Sequence, residues 1–116
     1  MIINLTPHTV TLLGGEGNLI AEFPPEGLAR AEQFDTVVDR VEVEGETIEV
    51  VETSFGELSG LPEPDGETKY IVSFVAAQAA KHAGRSTEDL IVTSGPVRDE
   101  GGQVIGCRRF ARLPAN

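Results

Sequence analysis

The stretch KYIVSFVAAQAAKHAGRSTEDLIVT, residues 69–93, decides the fold. It opens with Lys69–Val72, a short apolar run that is typical of a buried strand. Ser73 follows at the position of a helix N-cap, before a run rich in Ala, a strong helix former. Gly84 predicts the end of that helix, and Asp89–Thr93 is a second apolar strand. Strand, helix and strand in this order predict a βαβ unit with parallel strands.

Strand pairs joined by short turns are predicted before this unit. Residues 1–13 and 19–23 are expected to form a hairpin whose first strand is interrupted at Pro7. Residues 37–43 and 47–52 are expected to form a second hairpin, because Val and Ile alternate there with acids. That alternation is typical of strands with one wet face.

A further strand is predicted near the end of the chain. Glu100-Gly101-Gly102 has the composition of a hairpin turn, and Val104–Cys107 returns as a strand, whereas residues 54–67 are expected to be a loop. The predicted fold class is therefore α+β, as a single domain over residues 1–116. It consists mainly of antiparallel β-sheet hairpins, with one βαβ unit and a single helix packed on the sheet.

Charge and cysteine content narrow the function classes. The formal charge of the 116 residues is −10, and residues 22–67 hold 14 acids against 2 bases. Direct binding of nucleic acid is not expected, because this field repels phosphate. The single cysteine, Cys107, allows no intramolecular disulfide and no cysteine metal cluster. No secretory signal or membrane span is expected, so the default location is the cytoplasm, and neither a metal nor a cofactor is predicted.

The segment Asn4-Leu5-Thr6-Pro7-His8 interrupts the first strand with polar groups. Strand alternation puts Asn4, Thr6 and His8 on one face, where an amide, a hydroxyl and an imidazole could bind a small ligand. The alternative is that the Asn and Thr side chains pair with backbone groups left free at the Pro7 break. Both interpretations stay open at this point.

A second candidate site lies at the carboxyl ends of the parallel strands, where open α/β sheets bind ligands. Ser73 follows the first strand, and Thr93 and Ser94 end the second. Arg98, four residues beyond Ser94, is expected to reach the same edge. Hydroxyls, helix N–H groups and an arginine suit a phosphate or carboxylate. The alternative is that Thr93–Pro96 is only a turn.

Several segments together resemble a known family. They are Asn4–His8, Pro24–Arg30, Gly60–Pro62, Tyr70–Ser73, Val97–Asp99 and Gly106-Cys107. In this order they resemble a family of small uncharacterised proteins of phages, prophages and actinobacterial genomes, and the resemblance spans nearly the whole chain. It implies a phage context, hence the host cytoplasm and a counter-defence role, but no mechanism.

Three functional hypotheses follow. The leading one is a non-enzymatic binder of an anionic, nucleotide-like small molecule, for example a counter-defence sponge; whether it forms a homo-oligomer is left open. The alternative is an acidic protein-interaction module, an inhibitor or DNA mimic that blocks a host protein. The third is a small hydrolase that uses His8 or Ser73, although the nucleophile-elbow motif G-x-S-x-G is missing.

Overall fold

The computed structural model describes residues 1–114 of the chain. This part has an α+β fold of mostly strands with a single helix. The strands are β1 (Ile2–Asn4), β2 (Val10–Leu13), β3 (Leu19–Phe23), β4 (Arg30–Val43), β5 (Glu46–Ser59), β6 (Lys69–Ile71), β7 (Leu90–Arg98) and β8 (Val104–Ala111), and the helix is α1 (Phe74–His82).

The predicted βαβ unit is present as β6, α1 and β7. Strands β6 and β7 pair in parallel, with Tyr70 opposite Leu90. The Ser73 hydroxyl oxygen caps α1 by accepting from the Ala76 N–H at 3.1 Å. Gly84 follows the helix with a φ of 82°, a conformation that suits glycine, and so ends the helix where predicted.

Six strands form one mixed sheet in the order β1-β6-β7-β8-β2-β3. The predicted hairpins β2–β3 and β7–β8 are antiparallel, but β1–β6, β6–β7 and β2–β8 are parallel. A sheet of mainly antiparallel hairpins is therefore only part of the fold. The difference arises at Pro7, because the chain turns there instead of continuing as one strand. Residues 2–4 join β6, whereas residues 10–13 pair with β3 and β8.

The sheet curls until its two edges meet. Pro25, just beyond β3, bridges to Asn4 at the end of β1, and the Glu26 N–H donates to the Asn4 carbonyl at 2.9 Å. The curled sheet encloses one apolar cluster of buried residues: Val10, Ile71, Ile91 and Cys107.

Helix α1 covers the other face of β6 and β7 with alanines. Ala76, Ala77 and Ala80 are buried in a second cluster with Tyr70 and Leu90. Small side chains let the helix lie close to the sheet. The cluster also takes in Leu58 and Leu61, which tie the neighbouring segments to this side of the sheet.

Strands β4 and β5 form a separate two-stranded ribbon, 14 residues each, which we call the arm (residues 30–59). The rest of the described chain, residues 1–29 and 60–114, is the body. The radius of gyration is 17.2 Å, against about 13 Å for a compact chain of this length. The arm accounts for the difference because it projects from the body.

The expectation of a loop over residues 54–67 is wrong at its start. Residues 54–59 continue β5, with Leu58 paired to Ala31 and Ser59 to Arg30. The physical reason is that Leu58 packs on the buried cluster under α1, so the base of the arm is anchored on the body. Sequence composition alone does not reveal that anchor.

Within residues 1–114, no helix has both the length and the apolar character needed to cross a membrane.

Candidate functional site

An open groove lies where β6 ends and α1 begins. Its volume is about 740 Å³, and its walls come from β2, the start of α1, β7 and β8. The polar side chains that line it include five of the predicted site residues: Thr6, His8, Ser73, Thr93 and Ser94. The structure therefore brings together parts of both candidate sites, which lie 65 or more residues apart along the chain.

Asn4 does not face this groove. Its side chain is completely buried, and its amide nitrogen donates to the carbonyls of His8 and Phe23, each at 2.8 Å. Its amide oxygen accepts from the Thr6 N–H at 2.9 Å and from the Thr6 hydroxyl at 2.7 Å. Asn4 thus holds the turn at Pro7 and ties β1 to the end of β3, where the sheet closes.

The turn places two neighbours of Asn4 on the rim of the groove. Thr6 is half-buried and His8 is exposed. The Thr6 hydroxyl is already bonded to Asn4, so its oxygen can accept a further hydrogen bond but its proton is used. The imidazole of His8 is the group of this segment that is available for a ligand.

The lining also includes the hydroxyl residues of the predicted strand edge, Ser73, Thr93 and Ser94. Ser73 follows β6 as predicted, but the expectation that Thr93 and Ser94 end the second strand is wrong, and Thr93–Pro96 is not a turn, because β7 continues to Arg98 in antiparallel pairing with β8. Ser73 and Thr93 are exposed and Ser94 is half-buried. The Ser73 oxygen accepts from the Ala76 N–H, which leaves the Ser73 proton to donate to a ligand. These hydroxyls, with His8, give the groove both donors and acceptors.

Arg98 is not among the described residues that line the groove. Its guanidinium donates to the Gly102 carbonyl at 2.6 Å, inside the turn between β7 and β8. Arg109 of β8 pairs with Ser94, and its side chain lies beside Gly95. A β-carbon at Gly95 would lie 3.1 Å from Arg109 Nη1. The structure therefore does not bring Arg98 to the other predicted site residues, and we leave it out of the candidate site.

Three apolar side chains in the groove were missed by the sequence interpretation. Phe74, Val104 and Ile105 are 55%, 51% and 49% exposed, although they border the groove. The consecutive apolar pair Val104-Ile105 is the available signal, since a strand that alternates puts one of two such neighbours on its outer face. The groove is thus more apolar than its predicted residues suggest.

The local electrostatics come mainly from the helix. No Lys, Arg, Asp or Glu is among the described residues that line the groove. The first turn of α1 contains no acid, and of its early amides Ala76 and Ala77 are bonded to Ser73. The N–H groups of Phe74 and Val75 and the positive end of the helix dipole therefore favour an anionic group here.

Cys107 forms part of the groove floor and is buried. Burial raises the pKa of its thiol above the usual range, so the thiol is neutral at pH 7 and a poor nucleophile. In residues 1–114, no group of three His, Cys, Asp or Glu side chains is arranged to hold a metal ion.

Comparison of the chain with protein-family models, with curated proteins and with solved structures finds no match. The resemblance to small phage and actinobacterial proteins therefore stays a prediction.

Proposed function

We propose that the protein is a non-enzymatic binder of a small, nucleotide-like molecule with an apolar ring and one anionic group. The observation that carries this proposal is the convergence of Thr6, His8, Ser73, Thr93 and Ser94 on one groove of about 740 Å³. That volume lies within the usual range for small-molecule sites, about 300–1,000 Å³.

The lining supports a ligand of mixed character. Phe74, Val104 and Ile105 offer exposed apolar surface for a ring, and Ser73 and Thr93 offer hydroxyls. The amino end of α1 favours a single phosphate or carboxylate. Because the lining within residues 1–114 contains no Lys or Arg, we expect a monophosphate, a cyclic nucleotide or a carboxylate to bind more tightly than a triphosphate.

The contacts of Ser73 give no support to a role as a catalytic nucleophile. Its oxygen accepts the Ala76 amide, which is the ordinary role of an N-cap serine. The hydrolase hypothesis rests on residue types alone. In the phage context that the resemblance implies, the protein would act in the host cytoplasm by sequestering a nucleotide signal.

Calorimetric titration with nucleoside monophosphates, cyclic nucleotides and triphosphates tests this proposal. We expect one class to bind with a micromolar dissociation constant, and Thr93→Val with Ser94→Ala to weaken it about tenfold. Arg98→Gln is the matched control and should leave affinity unchanged, because Arg98 lies outside the groove. Absence of binding up to about 1 mM, or equal weakening by the control, would contradict the proposal.

The arm favours a second candidate function, the acidic protein-interaction module. Residues 30–59 hold nine acids against two bases, and side chains 32–54 are all exposed. A module of this kind would occupy a basic surface of another protein. Its affinity for a Lys-rich peptide should fall steeply with added salt, since the charges involved are exposed.

A further inference from the structure

The arm has two faces of different chemistry. Val41 pairs with Ile48, and Asp39 pairs with Val50, so these side chains project on the same side of the ribbon. The pairing of Phe34 with Ser54 continues this side towards the base. We call this side the apolar face; its apolar members are Phe34, Val41, Val43, Ile48 and Val50.

The opposite side, which we call the polar face, is held by pairs of polar side chains. Arg40 and Glu49 form an ion pair at 3.9 Å. The Thr47 hydroxyl donates to Glu42 at 2.6 Å, and the Thr53 hydroxyl donates to Asp35 at 2.8 Å. One apolar pair, Val37 opposite Val51, interrupts this face and provides an internal control.

Nothing in the described chain covers the apolar face. Phe34 is 51% exposed, and its four aliphatic members are 39–52% exposed. Val41, Val43, Ile48 and Val50 lie in successive cross-strand pairs, and an exposed apolar patch of this kind marks an interaction site.

The charges around the apolar face identify the chemistry of its occupant. Its charged residues on β4 and β5 between Phe34 and Ser54 are all acids: Asp39, Glu46 and Glu52. The one base of that segment, Arg40, points to the polar face and is paired with Glu49. A second copy packed face to face would set acids against acids, which is unfavourable. The occupant must instead bring apolar side chains flanked by cations.

The dimensions of the face fit one helix. Two strands about 4.8 Å apart form a ribbon about 10 Å wide, and the span from Phe34 to Val43 is about 30 Å. A helix is about 10–12 Å wide, and about 20 residues cover 30 Å. The Phe55 and His82 ring centroids are 5.1 Å apart, so α1 packs on the base of the arm, but on the side opposite to the apolar face, which leaves that face free.

We propose that the apolar face of the arm binds an amphipathic helix of another protein whose apolar stripe is flanked by Lys or Arg. The proposal rests on the second candidate function and names its contact surface and partner chemistry. The apolar stripe would cover the valines and Ile48, and the flanking cations would pair with Asp39, Glu46 and Glu52.

Two synthetic helical peptides test the proposal on the full chain. Both are about 18 residues long and equally rich in Lys; one carries a Leu stripe, and the other carries Gln at those positions. The two arm variants are Val41→Thr with Ile48→Thr on the apolar face, and Val37→Thr with Val51→Thr on the polar face. Each variant replaces two branched apolar side chains with threonine and leaves the net charge unchanged. Amide NMR spectra check that both variants remain folded.

We expect the Leu-stripe peptide to bind at least about tenfold more tightly than the Gln peptide. V41T/I48T should remove that advantage, and V37T/V51T should keep it within about twofold. If a threonine pair unfolds the arm, Asp39→Asn with Glu46→Gln is compared with Glu42→Gln with Glu49→Gln. The first of these pairs should lower the affinity for the Leu-stripe peptide more than the second.

Four results would overturn the proposal. Equal effects of the two threonine pairs would show that the apolar face has no special role. Equal binding of both peptides would support the acidic interaction module but contradict docking on the apolar face. Failure of both peptides to bind would contradict the interaction module as well. A micromolar dimer of the wild-type chain that V41T/I48T dissociates would make a second copy the occupant.

Discussion

The body and the arm both carry branched apolar residues on strands, yet these side chains lie in opposite environments. In the body, Ile71 is completely buried and Leu90 is 2% exposed, whereas in the arm Val41 and Ile48 are 42% and 46% exposed. The two regions differ in whether other parts of the chain cover the apolar side chains of their strands. The buried side chains of the body strands face α1 or the interior of the curled sheet, whereas no other part of the described chain covers arm residues 32–54. An alternating pattern therefore indicates which face is apolar, but not whether that face is covered.

The two regions should also differ in what stabilises them. The body gains free energy from buried apolar side chains, at about 25 cal/mol per Å² of surface removed from water. The arm depends on cross-strand pairs, each worth about 0.2–1 kcal/mol, and a two-stranded ribbon alone is marginal in water. It persists because its base is anchored through Leu58 on the body.

The largest expected effect compares one isoleucine from each region. Ile71→Ala should lower the free energy of unfolding by about 3–4 kcal/mol, because it leaves a cavity inside the curled sheet. Ile48→Ala should cost less than about 1 kcal/mol, because that side chain is already half in water. Urea denaturation measures both. Similar losses at the two positions would mean that the arm is covered in solution.

A second comparison uses one ion pair from each region. Arg85 donates to both oxygens of Asp89, at 2.8 and 2.9 Å, and to the Pro62 carbonyl at 2.6 Å, with both side chains largely buried. Arg85→Met should therefore cost about 3 kcal/mol by leaving a buried carboxylate unpaired.

Arg40→Met in the arm is the matched variant for this ion pair. It should cost less than about 0.5 kcal/mol, because the pair with Glu49 is long and exposed. Chemical denaturation of both variants measures these losses of unfolding free energy. A loss in Arg85→Met as small as that in Arg40→Met would contradict the predicted difference between the two ion pairs.

Polar side chains that hold the backbone should show the same contrast on a smaller scale. Asn4→Ala should cost about 2 kcal/mol, because it leaves the carbonyls of His8 and Phe23 and the Thr6 amide without their partner. Thr53→Ala, which removes an exposed hydroxyl bonded to Asp35, should cost less than about 0.5 kcal/mol. Thermal and urea unfolding would contradict this prediction if Asn4→Ala proved as mild as Thr53→Ala.

The smallest effect concerns Asp65, on the body loop before β6. Hydrogen bonds from the Glu67 and Thr68 amides and the Thr68 hydroxyl lower the pKa of this carboxyl to about 2. A carboxyl whose pKa is lowered on folding stabilises the fold above its unfolded pKa, about 3.9, and loses that contribution as pH falls towards 2.

NMR titration of the Asp65 carboxyl carbon is the direct check, with an expected midpoint near 2. In Asp65→Asn, stability should depend less on pH between about 4 and 2 than in the wild type. A midpoint near 4 would mean that this loop does not hold the carboxylate in solution.

Local signals made the βαβ unit predictable from sequence. Ser73, the alanines of α1 and Gly84 each act within a few residues, so their composition was sufficient. The closure of the sheet was not predictable in this way, because the bridge from Asn4 to Pro25 joins segments about 20 residues apart. The same holds for residues 54–59, whose strand depends on Leu58 reaching the buried cluster under α1.

The candidate site shows the same limit. The rule on strand ends pointed to Ser73, Thr93 and Ser94, and the break at Pro7 pointed to His8. Sequence alone did not reveal that the turn at Pro7 would carry His8 to the rim of the same groove. The alternative that the Asn4 side chain pairs with backbone groups at the Pro7 break matches its bonds to the His8 carbonyl and the Thr6 N–H. Its bond to the Phe23 carbonyl, which helps to close the sheet, was not predictable, because a partner so distant in sequence leaves no local pattern.

Amide hydrogen exchange by NMR tests the contrast between arm and body most directly. The Val72 and Tyr70 amides donate to the Ile91 and Asp89 carbonyls between buried strands, so they should exchange only through global unfolding. The paired amides of the arm between residues 35 and 52 should exchange at least about 100-fold faster, through opening of the arm alone. Equal protection of the two sets would contradict an uncovered arm and would show that a second copy covers it in solution.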